Sequence, residues 1–498
     1  MTYYLGIDIG TFESKGILAD QSGNIIARAA KPHKMLVPQV GWAEHRPVED
    51  WWDDFTLICQ KLLADSKVDP REIKAVGTSA IGPCMLPVNK AGEPLMNAVL
   101  YGVDTRSVKE IDDLTAQIGA ERILDYCGNA LTSQSVGPKI LWLKRNRPDI
   151  FANTHKILTS TSYLVFWLTG KFVIDHYSAA NAAPLYSAEQ LKWSDELAPD
   201  IIPLERLPDI AWTTDIAGAV TAKAARETGL AEGTPVICGT IDAAAEAISV
   251  GVLEPRDMML MYGSTIFIIA VTSKRVKDGR LWYAPWLFPG QHASMAGLAT
   301  SGTLTHWFRD TLARELAPAA AMEQLAAEAE TSPPGANGLV MLPYFSGERT
   351  PIHDTHAKGV IFGLNLTHTR GDLYRAALEG IACGTNHILE TFDAVGETPR
   401  HIFSVGGGTK NRAWAQATSD VSGRTQILSE KSMGASYGDA FLAALAVGDV
   451  KAQDIKAWNP VVSEIVSNTK HTESYRRHYR VFRELYDRNR DLMRDLGN

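Results

Sequence analysis

Three glycine-containing turns each follow an apolar, strand-like run and carry groups able to hold phosphate. In "YYLGIDIGTFESKGILAD" (3–20) a lone acid, Asp8, sits among Tyr4, Leu5, Ile7 and Ile9, directly before Gly10-Thr11. The run "DMMLMYGSTIFIIAV" (257–271) repeats the pattern with Gly263-Ser264-Thr265, and "HIFSVGGGTKNRAWAQATSDVSG" (401–423) carries Gly406-Gly407-Gly408. Glycine lets backbone N–H groups approach an anion with no Cβ in the way. Thr11, Ser264 and Thr265 add hydroxyl donors, and Lys15 a positive charge. A hairpin turn accounts for any one of these stretches alone; the three together point to a polyphosphate. A carboxylate inside a buried strand is costly unless paired or bound to a cation, so Asp8 calls for a partner. Asp242, in "CGTIDAAAEAISVG" (238–251), either caps the helix after it or orients a hydroxyl and takes its proton.

The elements that must position these residues alternate. A three-strand meander over the first thirty residues is followed by an amphipathic helix at "PVEDWWDDFTLICQKLLADS" and a strand at "IKAVGTSA". Continued alternation gives an α/β class. With 498 residues, one core is too few. The recurrence of strand, glycine-hydroxyl turn and strand near 257 predicts two related domains, 1–245 and 246–498, the second with a helical tail. The charge of −8, without a basic run, speaks against nucleic acid and anionic membrane as partners. Five scattered cysteines without CxxC fit a reduced cytoplasm and buried, inert thiols. No GxxxxGK[ST] occurs and the glycines at 406 do not complete GxGxxG, so neither a P-loop nor a dinucleotide fingerprint supplies the phosphate site.

Strand-"DIGT"-strand at the N-terminus, with a second such hairpin opening the C-terminal half, resembles the actin/hexokinase/Hsp70 ATPase superfamily. Within it the chain resembles the FGGY carbohydrate kinases, on their pentulose-kinase, xylulokinase-like side, over essentially its full length. The stretches that carry the resemblance are "GVIFGLNLTHTRGDLYRAALEG" (359–380), "CGTIDAAAEAISVG" and "SGTLTHWFRD" (301–310). The resemblance implies two ribonuclease H-like (actin-like ATPase) domains with an ATP and sugar cleft between them. It further implies ATP and Mg²⁺ as cofactors and phosphorylation of a carbohydrate hydroxyl in the cytoplasm. The foremost acceptor would be a ketopentose such as xylulose or ribulose, and there is room for a homodimer. An Hsp70- or actin-like binding protein is the competing class; Asp242 and the 359–380 segment argue against it.

Roles follow from the same resemblance. Asp242 would be the catalytic base and meet the sugar, Asp8 would meet Mg²⁺ through water, and Thr11 and Lys15 would face the terminal phosphates. Glu13 would repel a polyphosphate, so its side chain is expected to point away. Gly263, Ser264 and Thr265 would form the second phosphate loop, Gly302 and His306 would lie near the nucleotide, and Gly407 and Asn411 would receive adenosine. A packing role beside Trp307 and Phe308 is the alternative for His306. "YGVDTR" places Asp104 and Arg106 at the sugar, with Gly102 where the family has tryptophan; a surface ion pair is the alternative. Pro83, in "TSAIGPCMLPVN", stands where xylulokinases present a histidine to the ketose, which puts ordinary xylulose specificity in doubt. Gly380 and Gly384, four apart on a helix, predict close packing against a neighbour.

Overall fold

Short polar turns between β-prone runs fold the opening segment into an antiparallel meander. Strands β1 (Tyr3–Ile9), β2 (Glu13–Asp20) and β3 (Ile25–Pro32) pair in succession, with Asp8 opposite Lys15. β1 is buried along its whole length, as befits a strand inside a sheet. β4 (Ile73–Ala80) runs parallel on its other side and sets Ser79 beside Asp8. With β5 (Ile216–Ala219) and β6 (Pro235–Ile237) the order is β5-β6-β4-β1-β2-β3, and the short β7 (Thr240–Ile241) pairs with the end of β4. The computed structural model describes residues 2–497.

The second sheet repeats this plan. β8 (Asp257–Tyr262) pairs antiparallel with β9 (Ile266–Thr272), and β10 (His292–Leu298) lies beside β9. β11 (His401–Val405) runs parallel to β8, followed by β12 (Gln426–Ser429) and β13 (Val461–Ile465). The order β10-β9-β8-β11-β12-β13 therefore mirrors the first sheet: a meander on one side and parallel strands on the other. In both sheets a glycine turn sits at the carboxyl end of the central strand, the usual place for a ligand in sheets of this kind.

The chain divides into two compact units that are not consecutive in sequence. Unit 1 holds everything up to Leu253 together with Lys274–Ala293 and Met433–Pro460. Unit 2 holds Glu254–Ser273, Ser294–Ser432 and the chain from Val461 onward. The returning helix of unit 1, Ala435–Ala446, lies on β1 and β4 because glycines admit it. A Cβ on Gly6 would fall 2.0 Å from the Ser436 carbonyl oxygen, and one on Gly77 2.1 Å from that of Asp439. In unit 2 the helix Arg370–Ala394 packs as closely: a Cβ on Gly380 would fall 2.3 Å from the Met341 carbonyl oxygen, and one on Gly384 3.1 Å from Leu298. The close packing predicted for these two glycines is thus present. All five cysteines are buried and unpaired. No helix among the described residues is long and apolar enough to cross a membrane.

Candidate active site

β7 delivers Asp242 as the first residue of the helix Asp242–Ser249, with Ile241 in the capping position. The carboxylate does not cap the helix end; its Oδ1 accepts a 2.7 Å hydrogen bond from the Ala243 amide. Burial, reinforced by the charge of Glu246 and opposed by that amide, pushes the Asp242 carboxyl up to about 7. Asp8 is 9% exposed, and its Oδ1 is buried without a hydrogen-bond partner. Burial, then the charges of Asp242 and Asp439, raise the Asp8 carboxyl well above the usual range, with Lys15 opposing. Asp439 is fully buried, accepts 2.7 Å from Ser79 Oγ, and leaves its Oδ1 unpartnered. Unit 1 thus gathers four carboxylates, Asp8, Asp242, Glu246 and Asp439, close enough to act on one another's ionisation. Their mutual repulsion favours a ligand that brings positive charge or a proton.

Beside them lies the Gly10-Thr11 turn. Gly10 N–H donates to the Glu13 carbonyl at 3.1 Å, and the Thr11 hydroxyl is 3.1 Å from the Tyr101 hydroxyl. This ties the turn to the "YGVDTR" loop. Lys15 and Glu13 pair at 3.2 Å. Residues two apart on a strand share a face, so Glu13 lies beside the lysine that is expected to face the phosphates.

Asp104 and Arg106 have no exposed side-chain surface. Arg106 bridges to Asp104 and to Glu44, each at 2.8 Å, and its guanidinium lies 3.8 Å over the Trp42 ring. Asp104 also accepts 2.7 Å from the Ala43 amide. The pair is not a surface bridge; it braces the loop that carries Tyr101 and Gly102, and Arg106 Nη1 is left buried without a hydrogen-bond partner. Pro83 is buried after Gly82. A buried lysine, Lys139, bonds the Ser133 carbonyl, and Ser133 Oγ donates 2.9 Å to the Gly102 carbonyl, so the loop is held from both sides.

In unit 2 the turn Gly263-Ser264-Thr265 is gripped by the start of the helix Gly302–Leu312. Gly302 N–H donates 3.1 Å to the Gly263 carbonyl; Ser301 and Thr303 N–H groups both donate to that of Ser264. A Cβ on Gly302 would fall 2.4 Å from the Gly263 oxygen. The structure therefore brings Gly263, Ser264 and Gly302 together. Ser264 and His306 are exposed, so His306 is not a packing residue. Space for a Cβ is open at Gly407. Asn411 caps the helix Arg412–Ser422 by accepting 3.1 Å from the Trp414 amide.

Residues 3–249 match the N-terminal domain of the FGGY family of carbohydrate kinases, and residues 258–447 match its C-terminal domain. The chain belongs to this family. It is a carbohydrate kinase, a phosphotransferase that uses ATP. The kinase is 28% identical to a xylulose kinase of Bacillus subtilis (strain 168), over 99% of this chain and 98% of that one. It is 27% identical to glycerol kinase 2 of Thermotoga maritima, over 91% and 92%. The crystal structure of xylulose kinase from Rhodospirillum rubrum superposes with a TM-score of 0.93 at 32% identity, covering 99% and 100%.

Several residues that sequence reasoning missed lie around these turns and acids. Glu246 had a legible signal, being four after Asp242 and so on the same helical face. Asp439 had the same signal as Asp8: one acid in an otherwise apolar run, "ASYGDAFLAAL". His33, His45 and Asp54, which surround the first turn, had none, since nothing in their spacing ties them to Gly10.

Proposed function

We propose that this kinase transfers the γ-phosphoryl group of ATP to a hydroxyl of a ketopentose, with Asp242 as general base. The observation that carries the reading is the Asp242 carboxyl: half-buried, first in its helix, and poised near neutrality. A base with a pKa near the working pH is best placed to take a hydroxyl proton. The acceptor oxygen attacks the γ-phosphorus, the bond to the ADP oxygen breaks, and the hydroxyl proton passes to Asp242. Thr11 and Lys15 hold terminal phosphates, while Gly263, Ser264, Thr265, Gly302, His306, Gly407 and Asn411 serve the nucleotide. Mg²⁺ fits the residues present. The unpartnered buried Oδ1 of Asp8 is a ready oxygen ligand, directly or through water, and Mg²⁺ takes few protein ligands when phosphates supply others. When bound, it neutralises charge developing on the transferring phosphoryl group.

Full-length similarity to xylulose kinases supports a five-carbon ketose, and the buried thiols fit action in the cytoplasm. Asp104 and Arg106 act on the sugar indirectly, by fixing the Tyr101–Gly102 loop. Pro83 offers no side-chain hydrogen bond, so another ketose or a sugar alcohol competes with D-xylulose as the preferred acceptor. An ADP-release screen with MgATP over ketopentoses, other ketoses, polyols and glycerol tests this. Stimulation by a ketopentose is expected. Turnover of glycerol alone would refute the acceptor class and leave the kinase activity intact.

A further inference from the structure

The Gly10-Thr11 turn has an anchor that the reaction itself does not require. His33 Nε2 lies 3.0 Å from the Gly10 carbonyl oxygen, and His45 Nε2 lies 3.1 Å from that of Thr11. Carbonyl oxygens only accept, so each Nε2 carries a proton and donates. The rings meet edge to face with centroids 5.0 Å apart. The His45 ring is completely buried and the His33 side chain is 4% exposed. Both are held from behind. Trp51 Nε1 donates 3.1 Å to His45 Nδ1, which fixes that ring as the neutral Nε2–H form. His33 Nδ1 is 2.9 Å from Asp54 Oδ2, and Asp54 also takes the Ser14 hydroxyl at 2.8 Å and the Lys31 ammonium. The backbone joins in, as His33 N–H donates 2.9 Å to the Phe12 carbonyl.

A trans peptide unit points its C=O and the following N–H in opposite directions. With the Gly10 and Thr11 carbonyls drawn onto the two rings, the N–H groups of Thr11 and Phe12 face the other way. Among the described residues neither amide donates a hydrogen bond. Two adjacent free N–H groups directed to one side form an anion-binding concavity. We propose that His33 and His45 are positioning residues of the phosphate turn. They bind its carbonyls so that the Thr11 and Phe12 amides are presented together to the terminal phosphates of ATP. This rests on the reading of that turn as an ATP contact. The two anchors differ in kind: His45 is a fixed neutral donor backed by an indole, whereas His33 is locked to a buried carboxylate.

The test compares two variants of the full-length kinase. His45→Gln keeps an N–H donor at about the reach of Nε2, and His45→Asn is too short to keep it. The KM for MgATP, the KM for the ketopentose giving most ADP release, and the Kd for MgATP by calorimetry are measured for both and for the parent. Loss of one hydrogen bond to the turn is expected to raise KM and Kd for MgATP about tenfold in His45→Asn. The sugar KM should be unchanged, and His45→Gln should return to within roughly threefold of the parent, since the donor is restored. Equal MgATP affinities in all three proteins would overturn the inference and leave the ATP-binding reading standing. A loss shared equally by sugar and MgATP would also overturn it, since that marks general loosening. A parent that does not bind MgATP would remove the reading of the turn, and the inference with it.

Discussion

The two glycine-hydroxyl turns lie at equivalent places in the two sheets, yet they are held by different chemistry. The Gly263–Thr265 turn is held chiefly by backbone: amides of Ser301, Gly302 and Thr303 bond its carbonyls, with the Ser301 and Thr303 hydroxyls assisting. The Gly10–Phe12 turn is held largely by side chains, two imidazoles backed by an indole and a carboxylate. A backbone grip tolerates change in most side chains but demands glycine where the chains touch. A side-chain grip demands particular residues at scattered positions but leaves its geometry open to adjustment. The second turn is therefore sterically fixed, and the first is chemically tuned.

The largest expected effect belongs to neither turn and calibrates both. Asp242→Asn should lower turnover by roughly 10²–10⁴-fold while MgATP affinity, measured by calorimetry, stays close to the parent's. Near-normal turnover would take Asp242 out of proton transfer. Next comes the fixed turn. Gly302→Ala places a methyl group 2.4 Å from a backbone oxygen, so the turn or the helix must shift, at about 1–3 kcal/mol. Thermal unfolding should show that loss, with a raised KM for MgATP and an unchanged sugar KM. A variant as stable and as active as the parent would show that the second turn is as adjustable as the first.

A subtler change concerns the acids beside the tuned turn. Asp242 must be ionised to accept a proton, so with its carboxyl near 7 the rate should fall as pH drops below about 7. The charge of Glu246 contributes to that elevation after burial. Glu246→Gln should thus move the acid limb of the pH–rate profile to lower pH, and an unmoved limb would remove Glu246 as a tuning group.

The smallest effect tests whether stability in unit 2 can change without disturbing its turn. Asp372 is buried, which alone would raise its carboxyl, but hydrogen bonds from Ser332, Thr369 and Asn337 bring it down to about 2. A folded pKa below the unfolded one stabilises above the unfolded value, and that contribution is lost as pH falls from about 4 through about 2. Asp372→Asn should cost up to about 2 kcal/mol at pH 7 and progressively less toward pH 2. Denaturant titrations across that range would show it, with the KM for MgATP unchanged at neutral pH. A raised KM would mean that the loop below Asp372 and the second turn are not independent.

Local pattern made much of this legible. The opening meander, the strand at 73–80, the second hairpin and the Arg412–Ser422 helix follow from alternation, turn residues and caps. Asp242 was marked by its helix and the residues around it. What stayed hidden depends on contacts between distant segments. No local signal distinguishes an Asp104 offered to a ligand from one buried against Arg106 and the Ala43 amide. Nor does any place Met433–Pro460 back in the first unit, because its apolar helix would suit either sheet. The histidine anchors belong to the same class: His33 follows the end of β3, His45 lies in a short two-residue strand, and only tertiary geometry aims both rings at one turn.

The return of Met433–Pro460 also sets a timetable for synthesis. Tyr4 Oη donates to Asp449 Oδ2 across 445 residues of chain, and Gly6 and Gly77 are shaped to receive a helix that begins at Ala435. At roughly 5–20 residues per second, a ribosome takes about 20–90 s to make the segment that covers the first strand. Throughout that interval one face of the opening sheet lacks its native cover, while most of unit 2 emerges before the last of the three segments of unit 1. The nascent chain therefore holds these strands uncovered until Met433–Pro460 has been made, and termination before residue 433 would strand that face permanently.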